Sequence, residues 1–217
     1  MRHSYSAWQA YKQCPFKYKC RYIDHVPVGE PSEALVNGNK VHAAAEAFLK
    51  KETTAVHPKL LKFDTHLRKL RAMKSLFVEQ DMAFTYMWEP CAWDDPNAWL
   101  RMKLDVLYPL GLNGTFVGDW KTGKVYPDHA EQLGIYALGC FKGLDSDVVM
   151  AEDWYCDTGI KSKTERFDRN RDEKLLQEMW EGRIRRMEND NIFAPTKNRL
   201  CGWCEYGKGK GGPCKHG

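Results

Sequence analysis

The chain lacks any long hydrophobic run. No apolar stretch approaches the roughly 20 residues that a membrane helix requires, because charged residues interrupt every such stretch. The sequence also lacks a recognisable secretory signal, a linker and a low-complexity segment. These absences predict a cytoplasmic protein with no membrane partner, folded as a single domain over residues 1–217.

A strong charge of either sign is also missing. The chain has 33 basic and 29 acidic residues, which leaves a net charge of +4. So weak an excess cannot draw nucleic acid to the whole surface, and any nucleic-acid binding must depend on local patches. A run of charge is more often a solvated face, but aromatic residues accompany these patches and would allow a stacking path for single-stranded DNA. The basic residues concerned are Lys12, Lys17, Lys19, Arg21, Arg183, Arg185, Arg186, Lys208, Lys210 and Lys215.

What the chain does have is a pair of acids on a predicted β-hairpin. The alternating run 100–108 carries Asp105, and a second strand at 115–122 carries Asp119 and Lys121. Residues two apart share one face of a strand, so Asp119 and Lys121 project together toward whatever faces Asp105. Carboxylate oxygens are the ligands that Mg²⁺ and Mn²⁺ prefer, and such an ion polarises a phosphate and activates a bound water. The pattern indicates phosphodiester hydrolysis.

An isolated Asp-x-Lys is more often a solvated pair at the end of a strand. Here Val117 and Trp120 predict a buried strand, where a charged pair on one face requires a reason. The buried setting therefore favours the catalytic interpretation.

Two predicted helices carry polar residues at one-turn spacing. In residues 34–50, His42 and Glu46 share a face beside apolar positions, although a lone histidine in this setting is more often a core group than a metal ligand.

Further along the chain, Gln132 and Tyr136 lie one turn apart in a helix predicted to begin near Asp128 as its N-cap. Together they could donate two hydrogen bonds to phosphate oxygens, whereas alone they would be a surface contact.

Four motifs in this order resemble the RecB-like exonuclease branch of the PD-(D/E)XK nuclease superfamily, with its CRISPR-associated and phage relatives. They are Gly38-x-x-x-His42, Asp105, Asp119-x-Lys121 and Gln132-x-x-x-Tyr136. The resemblance covers nearly the whole chain, and Asp119 stands where glutamate is commoner. It implies an α/β fold with a restriction-endonuclease-like core, in which helices flank a mixed central sheet, preceded by N-terminal helices and followed by a cysteine-bearing tail.

The resemblance also implies roles for these residues. Asp105 and Asp119, with His42, would hold Mg²⁺ or Mn²⁺, and Lys121 would assist the attacking water. Gln132 and Tyr136 would position the DNA backbone.

Eight cysteines occur without a secretory signal, so disulfides are not expected. Cys201 and Cys204 form a C-x-x-C, which can grip one metal centre from two sides, and Cys214 follows. Cys14, in Cys-Pro-Phe-Lys-Tyr, matches the opening of the RecB-like branch. In its iron-sulfur members one N-terminal cysteine joins three C-terminal ones around a 4Fe-4S cluster.

The resemblance thus implies a cluster on Cys14, Cys201, Cys204 and Cys214 that brings residues 1–22 and 193–217 together. Zinc, with His216 as a substitute ligand, is the alternative metal. The other cysteines are predicted to be free thiols, namely Cys20, Cys91, Cys140 and Cys156.

These features predict a divalent-metal-dependent DNA exonuclease acting on single strands or duplex ends. The resemblance suggests phage or prokaryotic recombination, repair or replication, with a protein partner from such a system. A structure-specific endonuclease on the same core is one alternative. Another is a non-catalytic DNA-binding adaptor with a structural metal centre, against which the intact acids and lysine argue.

The predicted order of elements alternates helices and strands, as an α/β protein requires. Helices are predicted at 6–22, 34–50, 58–82, 128–142 and 170–190, and strands at 84–91, 98–109, 114–122 and 147–157.

Overall fold

The computed structural model describes residues 2–123 and 130–216. These fall into two compact units, one made of Arg2 with Glu33–Gln177 and the other of His3–Ser32 with residues 178–216. The prediction of one domain joined by its cysteines therefore stays a prediction. Among the described residues, no helix is long and apolar enough to cross a membrane.

A seven-strand mixed sheet flanked by helices forms the larger unit, which confirms the predicted α/β class. The strands lie in the order β2-β1-β3-β4-β5-β6, and β7 also pairs with β5. All pairs are antiparallel except β4 with β5, whose parallel pairing depends on the crossover through α5. The elements are α3 (Glu33–Leu49), a 3₁₀ helix (Pro58–Phe63), α4 (Asp64–Arg71), β1 (Phe77–Phe84), β2 (Pro90–Cys91), β3 (Leu100–Leu110), β4 (Gly114–Lys121), α5 (Ala130–Gly143), β5 (Val148–Tyr155), β6 (Ile160–Lys161), β7 (Glu165–Asp168) and the first part of α6 (Arg169–Glu188).

The core of this unit lies between the sheet and the helices α3 and α4. Trp120 of β4 and Trp154 of β5 are fully buried, with ring centroids 4.6 Å apart. Burying each large apolar side chain contributes roughly 1.5–3 kcal/mol, so this cluster fixes α3 and α4 against the strands. The helical members of the cluster are Val41, Ala45, Phe48, Leu49, Leu60, Phe63, Leu67 and Leu70.

Gly118 in β4 is required by the close approach of the Trp154 ring. A Cβ at Gly118 would lie 2.1 Å from the Trp154 Cη2 atom. Because the ring is fully buried and cannot move aside, we expect Gly118→Ala to lower the free energy of unfolding by about 1–3 kcal/mol. Urea unfolding measures this change.

Gly182→Ala serves as the matched control, because a Cβ at this exposed helical position would meet no atom within 4 Å. This variant should gain roughly 0.5–1 kcal/mol, since alanine favours a helix over glycine. Equal midpoints for Gly118→Ala and the wild type would show that Trp154 does not pack on Gly118.

The smaller unit contains α1 (Tyr5–Gln13), α2 (Pro15–Tyr18), a π-helix (Lys19–Ile23), the end of α6 and the tail. The Ser4 hydroxyl caps α1 by accepting from the Ala7 N–H at 3.2 Å. The Tyr11 hydroxyl donates to Asp190 at 2.8 Å, which ties α1 to the segment after α6.

Two predicted helices differ from the structure. The predicted helix at 6–22 is broken at Cys14, whose backbone is extended (φ −167°, ψ 113°) because the following Pro15 disfavours the helical region. The predicted helix at 58–82 ends at Arg71, and the chain re-forms as β1 from Phe77. The helical spacing holds through Leu70, but beyond Arg71 seven residues pair with β3, and this long-range pairing outweighs the local pattern.

The predicted strand at 84–91 is likewise wrong, since within it only Phe84, the last residue of β1, and Pro90–Cys91 are paired. The short strands β6 and β7 were not predicted. The predicted strands at 98–109, 114–122 and 147–157 correspond to β3, β4 and β5.

Candidate active site

Four acidic residues lie at one level of the sheet. Asp119 of β4 pairs with Asp153 of β5, and the pairs that flank Glu79 and Asp105 place these two acids at the same level of β1 and β3. The hairpin of β3 and β4 therefore brings Asp105 and Asp119 to the same end, as the alternation of the sequence predicted. A row of like charges destabilises a sheet unless positive groups accompany it.

One end of this row forms a group that could hold a metal ion. The ligand atoms of His42, Glu79 and Asp105 all lie within 4.8 Å of one another. The His42 Nδ1 atom is 3.2 Å from Asp105 Oδ2, and the Trp120 N–H donates to the same oxygen at 2.7 Å. Two carboxylates and an imidazole form a donor set that suits Mn²⁺ and, through its oxygens, Mg²⁺.

The other end of the row is a hydrogen-bonded network around Asp119. Lys121 Nζ lies 2.5 Å from Asp119 Oδ2 and donates to Gln132 Oε1 at 2.5 Å. The Tyr136 hydroxyl donates to Asp119 Oδ1 at 3.0 Å, and Gln132 Nε2 donates to the Tyr136 oxygen at 2.5 Å. Helix α5 thus holds both the acid and the lysine in fixed positions.

Asp153 of β5 supplies a second anion to the lysine. Its Oδ1 atom is 3.7 Å from Lys121 Nζ, and its side chain is almost fully buried. Lys121 is thus held between two buried carboxylates, and its ammonium offsets part of the charge of the row.

Burial, together with the neighbouring negative charges, raises the pKa values of two acids of the site. Burial, then the charge of Asp119, raises the pKa of Asp105. Burial and the charge of Asp105 raise the pKa of Glu79 to about 7. Both shifts have the direction expected of carboxylates that need a cation, and a bound divalent ion would reverse them.

The two basic groups shift in the direction that keeps them charged. Burial lowers the pKa of His42, but its contact with Asp105 and the charges around it outweigh burial and raise the pKa to about 9. Burial also lowers the pKa of Lys121, whereas Asp119 and Asp153 raise it, and the net direction is upward. Lys121 is therefore an ammonium at neutral pH.

His42 reaches the site because α3 approaches the end of β4 closely. Gly38, one turn before His42, allows this approach, since a Cβ there would lie 3.1 Å from the Thr122 hydroxyl oxygen. Val41 and Ala45, on the same side of the helix, are buried in the core. The glycine and the histidine of this motif therefore serve one packing arrangement.

The structure brings together the six residues that the sequence singled out for this site, namely His42, Asp105, Asp119, Lys121, Gln132 and Tyr136. Glu46 instead pairs with Lys50 at 2.6 Å. The proposed N-cap Asp128 lies outside the described residues.

Sequence reasoning missed Glu79 and Asp153. Glu79 fell inside the helix predicted at 58–82, so nothing marked it as a strand residue. It also adopts φ +53°, a left-handed conformation that is uncommon for a residue with a side chain and that occurs at functional sites. Asp153 did carry a signal, because it is an acid in a strand where Val149 and Ala151 are buried.

The four cysteines singled out by the sequence line one cleft of the smaller unit. Cys14, Cys201, Cys204 and Cys214 share this cleft with His216, and all eight cysteines are free thiols. Two sulfurs accept backbone hydrogen bonds, Cys14 from Thr196 N–H and Cys201 from Asn198 N–H, each at 3.3 Å. Such donors stabilise thiolates and are typical of sulfur-ligated metal sites.

Comparison with known proteins gives a family match across almost the whole chain. The model of the PD-(D/E)XK nuclease superfamily matches residues 2–208. No curated protein matches the chain.

Two solved structures match most of the chain. A candidate exonuclease from Eubacterium rectale has 14% sequence identity and a TM-score of 0.55, with 93% of this chain and 86% of that chain covered. The protein SSO0001 has 15% identity and a TM-score of 0.46, with coverages of 94% and 83%.

Proposed function

Because the chain belongs to the PD-(D/E)XK nuclease superfamily, we propose that it is a divalent-metal-dependent DNA exonuclease that hydrolyses single strands or duplex ends. One observation carries the proposal. The metal-competent group of His42, Glu79 and Asp105 lies beside an Asp119–Lys121 pair that is fixed by α5. A buried acid-lysine network next to a cation site is an arrangement suited to phosphodiester hydrolysis.

We assign the metal to Asp105 and Asp119 with His42, and add Glu79 as a further carboxylate. When bound, Mg²⁺ or Mn²⁺ polarises the scissile phosphate and lowers the pKa of a bound water. The raised pKa values of Asp105 and Glu79 support this assignment, because His42 and Lys103 offset burial and the neighbouring acids only in part.

Lys121 orients the attacking water and offsets negative charge that develops on the phosphate. Its ammonium is held by Asp119 and Asp153, so it does not need to reorganise when the substrate binds. Gln132 and Tyr136 hold this pair in place. Their amide and hydroxyl groups can also donate hydrogen bonds to phosphate oxygens of the bound strand.

We further propose a 4Fe-4S cluster on Cys14, Cys201, Cys204 and Cys214. The shared cleft and the two N–H donors to sulfur support it. Zinc, which binds thiolate sulfur at about 2.3 Å, is the alternative metal for these ligands.

The cluster would have a structural role. It would join residues 1–22 to residues 193–217 within one domain, as the sequence analysis predicts. The cellular setting that we propose, phage or prokaryotic recombination, repair or replication in the cytoplasm with a protein partner, rests on the resemblance to the RecB-like branch.

Cleavage of end-labelled linear single-stranded DNA tests the function. We expect anaerobically purified protein to degrade the linear strand with Mg²⁺ or Mn²⁺ and to leave it intact in EDTA. A closed circular single strand should survive, since an exonuclease needs an end. Cutting of the circle would favour the endonuclease alternative, and no cleavage by folded, metal-replete protein would favour the non-catalytic adaptor.

A further inference from the structure

A cationic cleft borders the metal-competent group. It is formed by the ends of α3 and α4 and the start of β1, and four of its lining side chains are basic, namely Lys50, Lys51, Arg71 and Lys74. Val78 and Gln80, the neighbours of Glu79 in β1, line it as well. The charge of Glu79 also acts on Lys50 of the cleft, so the cleft lies near the metal-competent group.

Three of the four cations in the cleft are available to a ligand. Lys50 is paired with Glu46 at 2.6 Å, and the charges of Glu52 and Glu79 also act on it. The ends of α3 and α4 add partial negative charges of about −0.5 each. Lys51, Arg71 and Lys74 form no ion pair within the described residues, so their N–H groups can donate to phosphate oxygens.

Arg71 is already fixed in position. One of its guanidinium nitrogens donates to the Thr53 carbonyl at 2.6 Å, and its plane lies 4.5 Å from the centre of the Phe48 ring. A guanidinium held in this way still presents other N–H donors, and it loses little side-chain entropy when it meets a phosphate.

Exposed apolar side chains line the same cleft. Phe77 is 49% exposed and Met73 is 38% exposed, although both lie among basic residues. A single nucleic-acid strand offers phosphates and unpaired bases together, and its bases stack on aromatic rings. A duplex keeps the faces of its bases inside the stack, so it could use only the cations.

We propose that this cleft binds single-stranded DNA next to the active site, with backbone phosphates on Lys51, Arg71 and Lys74 and a base against Phe77. The inference rests on the proposed function and extends it, because it assigns the substrate class to one surface. The cleft then holds the strand whose adjoining phosphate reaches the metal group.

The test measures binding of a fluorescein-labelled oligothymidylate of about 20 nucleotides to the full chain in EDTA, across a range of salt concentrations. In a plot of log binding constant against log salt concentration, Lys51→Ala and Lys74→Ala should each make the slope about 0.7 less negative. The affinity difference from the wild type should therefore shrink about 2.6-fold between about 50 and 200 mM salt. Lys163→Ala is the matched control, since this exposed lysine follows β6 at the opposite edge of the sheet.

Phe77→Ala separates stacking from charge. It should weaken binding of the single strand by about fivefold or more and leave binding of a blunt duplex of equal length within about twofold. Leu112→Ala, at a fully exposed apolar residue on the β3–β4 turn, controls for the loss of a surface hydrophobe.

Lysine variants that bind like Lys163→Ala would overturn the inference, as would Phe77→Ala weakening single strand and duplex equally. If the wild type cleaves linear DNA in Mg²⁺ and the lysine variants still bind normally, the cleft is not the DNA site but the proposed function stands. If the wild type cleaves no DNA, the proposed function is wrong, whatever the lysine variants do.

Discussion

Lys121→Ala should reduce metal-dependent cleavage by at least about 100- to 1000-fold while DNA binding in EDTA stays within about threefold of the wild type. The loss is large because a preorganised cation at the reacting phosphate contributes on this scale to the rate. Asp105→Asn should have a comparable effect, because its carboxylate joins His42 and Glu79 in the metal-competent group. Single-turnover cleavage of the linear strand measures both.

Lys142→Ala is the matched control for removal of a paired lysine. Lys142 also belongs to a salt bridge, with Glu173 at 2.6 Å, and it lies on α5 away from the acids. Its cleavage rate should remain at the wild-type value. Removing Lys121 leaves Asp119 without its cation, so a melting curve of each variant must accompany the rates. Full cleavage by folded Lys121→Ala or Asp105→Asn would refute the assignment of the site.

Loss of a cysteine ligand should have the second largest effect. We expect protein purified without oxygen to be brown, with broad absorbance near about 400 nm, and to contain iron and acid-labile sulfide. Cys14→Ser and Cys204→Ser should each remove the colour and most of the iron. The tail should then become sensitive to protease, because a structural metal centre contributes folding free energy that its ligands cannot supply alone.

Cys91→Ser is the control for that experiment, since Cys91 lies in β2 and does not line the cysteine cleft. It should retain its iron and colour. If the wild-type protein is colourless and contains stoichiometric zinc, the cysteines bind zinc and not an iron-sulfur cluster. Iron retained by both Cys14→Ser and Cys204→Ser would show that the ligands lie elsewhere.

The sequence was most informative where structure is local. The hairpin of β3 and β4 follows from alternation and a short turn, and it sets Asp105, Asp119 and Lys121 at one end of two strands. The one-turn spacing of Gln132 and Tyr136 likewise places both on one face of α5.

The sequence failed where distant pairing decides the structure. Residues 77–82 continue a helical pattern, yet they form β1 because β3 offers a long antiparallel partner. Glu79 was missed for the same reason. No local pattern shows that its strand will lie beside Asp105, and its left-handed backbone appears only in the folded chain. The cationic cleft was also not predictable, since two helix ends and a strand build it.

The row of acids across the four strands makes the stability of the fold depend on the concentration of divalent ions. Repulsion among Glu79, Asp105, Asp119 and Asp153 opposes the native state, and Lys121 and His42 offset only part of it. A divalent ion that binds the folded form alone stabilises it by mass action, by about 2.7 kcal/mol when the ion is at 100 times its dissociation constant. The supply of divalent ions would then govern both how fast the nuclease cuts and how much of it remains folded.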